Sequence, residues 1–187
     1  MKPSGKALIV IDVQNDYFPG GKLPLWNADE TLSHIVNAIA DAGKRGIPVI
    51  LVKHAADQAK GAGFFIPGTT GADIHPDILK AAPDAPVIIK HRADAFNGTN
   101  LNAVLDKSGI EKILICGMQT QNCVGLTAIS KNARRYKTAI LPDCCTSETK
   151  TVHAIALSGF GDIVPVVSRA LAFGLFLPIA GFQHRSS

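Results

Sequence analysis

The chain has 187 residues, 47% of them hydrophobic and 18% charged, with a formal net charge of +4. That length suits one domain spanning 1–187 around one core, and that composition excludes a disordered chain. Lysines and arginines are scattered, the densest run being "KNARRYK" (131–137), and no basic stripe is interleaved with aromatics, which excludes a nucleic-acid binder.

The N-terminal "MKPSGKALIVIDVQ" holds an apolar stretch of about five residues that stops at Asp12, too short for a signal-peptide core. No apolar run reaches membrane-spanning length, so a cytoplasmic chain with no membrane partner is expected. Ala7–Asp12 reads as the first strand. Asn27 is a plausible N-cap for a helix whose Leu32, Ile35, Val36, Ile39 and Ala40 recur at helical spacing until Gly46. Pro48–Lys53 is a second strand. The Gly-, Ala- and Pro-rich connection His54–Pro86 follows, a length typical of an active-site loop. Val87–Lys90 is the third strand; Thr99 caps a helix carrying Leu101, Val104 and Leu105, which Gly109 ends.

Lys112–Gly117 is the fourth strand, with a helix beginning around Cys123. Thr138–Pro142 is the fifth; a helix after Thr146 or Ser147 carries Val152, Ile155 and Ala156. Asp162–Val167 is a sixth, its Pro165 marking an edge strand. Runs that are β-branched and apolar on both faces, alternating with helices, predict an α/β fold. It has three α/β/α layers and an open, mostly parallel sheet of about six strands. The tail 168–187 is apolar, has little helical periodicity and contains Gly174, Pro178 and Gly181, which suits either contact with a neighbouring subunit or an altered, poorly packed C-terminus.

Ligands of open α/β sheets bind beyond the carboxyl ends of the strands. Three reactive residues fall there: Asp12 after the first strand, Lys90 at the end of the third, and Cys123 just past the fourth. An adjacent cation and a helix N-terminus favour a thiolate, a carboxylate can take and return its proton, and backbone N–H groups of the "MQTQNC" turn can hold an oxyanion. The competing reading of Cys123 is a buried packing thiol. Cys116, Cys144 and Cys145 read as buried free thiols, and without CxxC or zinc-finger spacing no structural zinc site is expected. No GxGxxG follows the first strand, which excludes a dinucleotide-binding fingerprint.

"ALIVIDVQNDYFPGG", "VIIKHRADAFNGTNL" and "ICGMQTQNCVGLTAISKNARRYKTAILPDCCTS" resemble the isochorismatase-like cysteine hydrolases, whose members include nicotinamidases and carbamoylsarcosine amidases. The resemblance spans roughly Lys6 to Val167. It implies a catalytic triad of Asp12, Lys90 and Cys123, a cis peptide between Met118 and Gln119, and oxyanion donors from Gln119 and Cys123. It further implies a small-molecule amide, ureido or carbamoyl substrate, hydrolysed without a cofactor through a thioester, and assembly into a homodimer or homotetramer. The nicotinamidase metal motif Asp-x-His would fall at Val52-Lys53-His54, where Val52 and Lys53 are not ligands, so no metal is expected, although Asp57 and His75 could in principle join His54. The family's vinyl-ether hydrolases lack a cysteine nucleophile, so Cys123 argues for acyl transfer.

Further substrate contacts are open between function and packing. Gln14 could orient the triad or make a structural hydrogen bond. Phe18, Trp26, Phe64 and Phe65 could line a pocket or the core. His54 suits a substrate contact or a loop anchor. Arg92, with the strand parity of Lys90, could bind a substrate carboxylate or pair with Asp16 or Asp94. His91, of opposite parity, is expected to face away.

Overall fold

Five apolar runs pair into one sheet in the computed structural model of the chain, in which residues 5–57, 59 and 61–175 are described. The strands are β1 (Lys6–Ile11), β2 (Val49–His54), β3 (Val87–Lys90), β4 (Lys112–Met118) and β5 (Lys137–Thr146). All neighbours are parallel and the order is β3-β2-β1-β4-β5. The helices are α1 (Ala28–Lys44), α2 (Pro76–Ala81), α3 (Leu101–Lys107), α4 (Gly125–Ala128), α5 (Lys150–Gly161) and α6 (Arg169–Ala172). No helix among the described residues is long and apolar enough to cross a membrane.

β1 is the central strand, and Ala7, Leu8, Ile9 and Ile11 have no exposed surface. Both its faces are therefore core, which is why its sequence is continuously apolar rather than alternating. α1 lays Leu32, Ile35, Ala38, Ile39 and Ala42 against the sheet, the i, i+3, i+7 stripe that helical geometry allows. Each such Leu or Ile contributes about 1.5–3 kcal/mol relative to exposure. Since β2 and β3 extend the sheet from one side of β1 and β4 and β5 from the other, the strand order reverses between β1 and β4. A crevice opens at the carboxyl ends there.

Several local expectations shift. The sixth strand is absent: Asp162–Val167 touches β5 only through one bridge, Val166 to Ile140, with Val167 N donating to Ile140 O at 3.0 Å. Pro165 has no N–H, so a ladder cannot run through it. β5 is longer than the expected Thr138–Pro142, and an irregularity between Ile115 and Gly117 carries its pairing with β4 on to Thr146. Asn27 sits in the left-handed region at φ 55 and donates from Nδ2 to Glu30 Oε2 rather than capping. Thr99 does accept from Leu101 N, at 3.2 Å. The α5 cap is Thr149, whose hydroxyl accepts from Val152 N, not Thr146 or Ser147. Of the apolar tail, Phe173 is buried beneath the Arg45 guanidinium; residues 176–187 lie outside the described residues.

Gly117 is the tightest point of the sheet. It has φ +121, and a Cβ there would overlap the backbone of Ile11 in β1. Only glycine meets both conditions, and the neighbour is immobile sheet backbone. Gly117→Ala is expected to cost about 3 kcal/mol or more from combined overpacking and backbone strain, read as a lowered denaturant midpoint with unchanged slope. A midpoint within error of wild type would show that β1 and β4 can separate here.

Candidate active site

The carboxyl ends of β1, β2 and β3 and the turn after β4 bring four side chains together. β1 ends at Ile11, and Asp12 leaves it at φ 52, while its N–H still donates to Val52 O at 2.9 Å. Asp tolerates the left-handed region better than most residues, at a cost of about 1–3 kcal/mol. The bend turns its carboxylate into the crevice, fully buried. Lys90 ends β3, which lies at the edge of the sheet, two strands from β1. Its long side chain crosses the end of β2, where His54 is its register partner.

The Lys90 ammonium, itself with no exposed surface, lies 2.7 Å from Asp12 Oδ2 and 3.1 Å from Cys123 Sγ. It also lies 3.1 Å from His54 Nδ1 and 3.1 Å from the carbonyl oxygen of Arg92. An ammonium has three N–H donors and here faces four acceptors. A neutral thiol needs no donor, so the resting count balances with Cys123 protonated. Nδ1 of His54 must then be an acceptor, which puts the imidazole proton on Nε2.

The electrostatics agree. Burial, and after it the Asp12 carboxylate, push the Cys123 thiol well up, and Lys90 offsets only part of this. Burial works against the Lys90 charge, but Asp12 and Cys123 outweigh it and hold the amine above its ordinary 10.5. Burial and the neighbouring ammonium lower His54 below 6.5, so it is neutral at pH 7. Cys123 lies in the first, wide turn, Thr120–Val124, of a helical stretch that continues without a break into α4. Burial of the thiol outweighs what so short a stretch of aligned peptides adds toward a thiolate.

The peptide Met118–Gln119 is cis. Beyond it, Asn122 N and Val124 N donate back to Gln119 O, at 3.1 and 3.2 Å, folding the chain tightly around Cys123. Gln121 Nε2 donates to Gln119 Oε1 at 2.7 Å, and Ser147 Oγ donates to Gln121 Oε1 at 2.5 Å.

Two cavities, of about 720 and 350 Å³, share His54, Phe64, His91 and Arg92 on their walls; Cys123 lines the smaller, inner one. Phe64, His54 and Arg92 are thus where a substrate contact requires. Gln14 is not on the wall: fully buried, it accepts from His54 N at 2.8 Å and donates to His54 O at 2.9 Å and Ala72 O at 2.7 Å, clamping the end of β2. Phe18 packs on His75, and Trp26, 37% exposed, packs toward His153; neither lines these cavities. His91 is on the wall, contrary to the parity expectation, because the strand stops at Lys90 and alternation stops with it. Its Nδ1 meets Ala55 O at 2.8 Å. Phe65 lines the inner cavity, as one of its two readings had it, whereas sequence reasoning missed Tyr17 and Asn122. Phe65 is held at φ 55 by Asp16, whose Oδ2 accepts from Phe65 N at 2.7 Å. Arg92 pairs with neither expected acid: Asp16 accepts from Lys22 N and Phe65 N, and Asp94 from Phe96 N and Ser130 Oγ.

Asp12, His54 and Cys123 offer ligand atoms within 4.8 Å of one another. The Lys90 ammonium is bonded to all three, so the place of a cation among them is filled by a side chain. At the position of the nicotinamidase motif, Lys53 pairs with Asp73 at 3.0 Å. His75 Nδ1 accepts from Asp77 N, and Asp57 Oδ1 from Ala59 N. This donor set does not fit a metal.

A parallel sheet with a thiol, a carboxylate and an ammonium gathered at its switch point defines an α/β domain with a candidate nucleophile in its ligand crevice. The isochorismatase domain model matches residues 6–170, and the chain belongs to that family. It is 34% identical over 147 residues to the uncharacterized isochorismatase family protein YddQ of Bacillus subtilis, covering 79% of this chain and 81% of that protein. A nicotinamidase of Acinetobacter baylyi is 28% identical over 174 residues, covering 74% and 80%. The crystal structure of a putative isochorismatase hydrolase from Oleispira antarctica superposes with a TM-score of 0.80 at 30% identity, covering 93% of this chain and 99% of that one.

Removing one partner of a buried ion pair strands the other charge. Lys90→Met is expected to cost about 3–5 kcal/mol in denaturant unfolding, and adding Asp12→Asn is expected to recover most of it. A Lys90→Met protein as stable as wild type would mean that Asp12 is not charged in the folded state.

Proposed function

We propose that the chain is a cysteine-dependent hydrolase of a small amide, ureido or carbamoyl compound. The observation that carries this reading is the Lys90 ammonium bridging Asp12 and Cys123 at 2.7 and 3.1 Å, beside a cavity the thiol lines. The nicotinamidase relative supports an amide as the bond broken.

In this reading Asp12 takes the thiol proton as Sγ attacks the carbonyl carbon, so that no standing thiolate is needed. The C–S bond forms and the carbonyl electron pair moves onto oxygen, toward the N–H groups of Gln119 and Cys123. As Sγ gains charge, Lys90 strengthens its N–H bond to it. The intermediate collapses with cleavage of the C–N bond, and Asp12 hands its proton to the departing nitrogen. Water then attacks the thioester, giving a proton to Asp12; the C–S bond breaks, the acid leaves, and the thiolate recovers the proton. Asp12 is thus acid and base in turn. The carboxylate suits this, since no backbone or hydroxyl donor holds it: Asp12 Oδ1 has no hydrogen-bond partner among the described residues.

A cytoplasmic setting belongs to the same proposal, because the nucleophile must stay reduced; none of the four cysteines is paired. Assembly into a homodimer or homotetramer is supported by α5, which buries none of its residues and leaves Ile155 67% exposed.

Wild type screened against small amides is expected to release ammonia at a rate unaffected by chelator. Cys123→Ala and Asp12→Asn should each lose at least about 10³-fold, while their unfolding midpoints show that they fold. Iodoacetamide should modify one thiol in the native protein and none in Cys123→Ala, since Cys116, Cys144 and Cys145 are buried away from the cavity. Release that survives Cys123→Ala, or stops with chelator, would overturn the mechanism.

A further inference from the structure

The inner cavity has an electrostatic character that the proposed chemistry does not use. Among the described residues its charged and hydrogen-bonding wall consists of Tyr17, His54, His91, Arg92 and Asn122 beside the nucleophile, with no carboxylate. Below it the Asp12 and Lys90 charges cancel, and the resting thiol is neutral. Arg92 therefore brings an uncompensated positive charge.

Arg92 is an exposed residue anchored at its backbone and open at its guanidinium. Its backbone is fixed to the site, because its carbonyl accepts from Lys90 Nζ at 3.1 Å. Its guanidinium makes no ion pair or hydrogen bond to the described residues. The two acids nearest in sequence are occupied: Asp16 by Lys22 N and Phe65 N, Asp94 by Phe96 N and Ser130 Oγ. Asp57, the one acid lining the outer cavity among the described residues, accepts from Ala59 N. By contrast, Arg135 is paired bidentately with Asp106, at 3.0 and 3.1 Å, although both are about half exposed. Arg92, exposed like Arg135, thus stands unpaired among the described residues on the wall of the nucleophile's cavity.

The second donor on that wall is His54. Its Nδ1 accepts from Lys90, which leaves the Nε2–H for the cavity. A planar guanidinium fork and an imidazole N–H on one wall match a carboxylate, which accepts through two oxygens and carries the charge that Arg92 lacks. Phe64, in contact with Phe65 at 5.0 Å between ring centroids, supplies an apolar surface for the carbon chain between the two ends of the ligand.

We infer that the substrate is itself an acid: a small amide, ureido or carbamoyl compound bearing a carboxylate, which Arg92 binds while Cys123 attacks the amide carbon. This rests on the hydrolase reading above and narrows it. Neutral amides lack the group Arg92 recognises, so they are poor substrates. Since Arg92 binds the remote carboxylate and not the reacting carbonyl, its loss falls mainly on KM.

The test uses monoamides of four- and five-carbon dicarboxylic acids and N-carbamoyl amino acids, each beside its methyl ester, with ammonia release as the readout. Wild type is expected to favour at least one acid over its ester by about tenfold or more in kcat/KM, with KM for the acid rising as salt is added. Arg92→Gln should raise that KM about tenfold, change kcat much less and abolish the preference; Arg92→Lys should restore part of it. Calorimetry separates binding from turnover: Cys123→Ala should bind the acid, and Cys123→Ala with Arg92→Gln should bind at least tenfold more weakly. Equal turnover of acids and esters, or an Arg92→Gln protein with unchanged KM for the acid, would overturn the inference and leave the hydrolase reading intact. No ammonia from any compound, together with an unreactive Cys123, would sink both.

Discussion

Everything at this site depends on one buried ammonium. Lys90 reaches from an edge strand to the centre of the sheet, where Asp12, His54, Cys123 and the Arg92 carbonyl all face its ammonium at 2.7 to 3.1 Å. Desolvating a lysine costs several kcal/mol, so such a group persists only when its partners offset that cost. Asp12 supplies the opposite charge and the other three supply acceptors. Because four acceptors face three protons, the arrangement is balanced only while the thiol keeps its own proton. Lys90 can serve the sulfur fully when charge develops on it, by loosening its hold elsewhere.

The fold explains why these residues meet. In the order β3-β2-β1-β4-β5, Lys90, His54, Asp12 and Cys123 follow one another along the sheet edge as β3, β2, β1 and the turn after β4. His54 stands between the lysine and the acid because β2 stands between β3 and β1. Gln14 holds His54 by both backbone groups, and Asp16 holds Phe65, so the residues after Asp12 position the loop that walls the cavity. Gly117 lets β4 approach β1 closely enough for the turn carrying Cys123 to lie over Asp12.

Much of this was legible in the sequence. The alternation of apolar runs and helical stripes gave a parallel α/β sheet, and Asp12, Lys90 and Cys123 could be assigned to one edge because each ends or follows a buried strand. What could not be read depends on tertiary placement. Asp162–Val167 has a strand's composition, but its proline prevents a ladder. His91 was assigned by alternation past the point where the strand stops. Trp26 and Phe18 were open between a pocket wall and the core, and their rings turn to His153 and His75. The role of Lys53 and the unpaired state of Arg92 follow from where Asp73, Asp16 and Asp94 lie in space, which spacing does not encode.

A covalent acyl-enzyme on Cys123 is the step that separates a cysteine hydrolase from any other use of this scaffold. The direct measurement is acid quench of the protein during turnover of an amide it hydrolyses, followed by intact mass and peptide mapping. An adduct of the acyl mass, on the peptide containing Cys123 and absent from Cys123→Ala, is the expected result. Steady turnover with no adduct, or an adduct on another residue, would contradict the assignment of Cys123 as nucleophile.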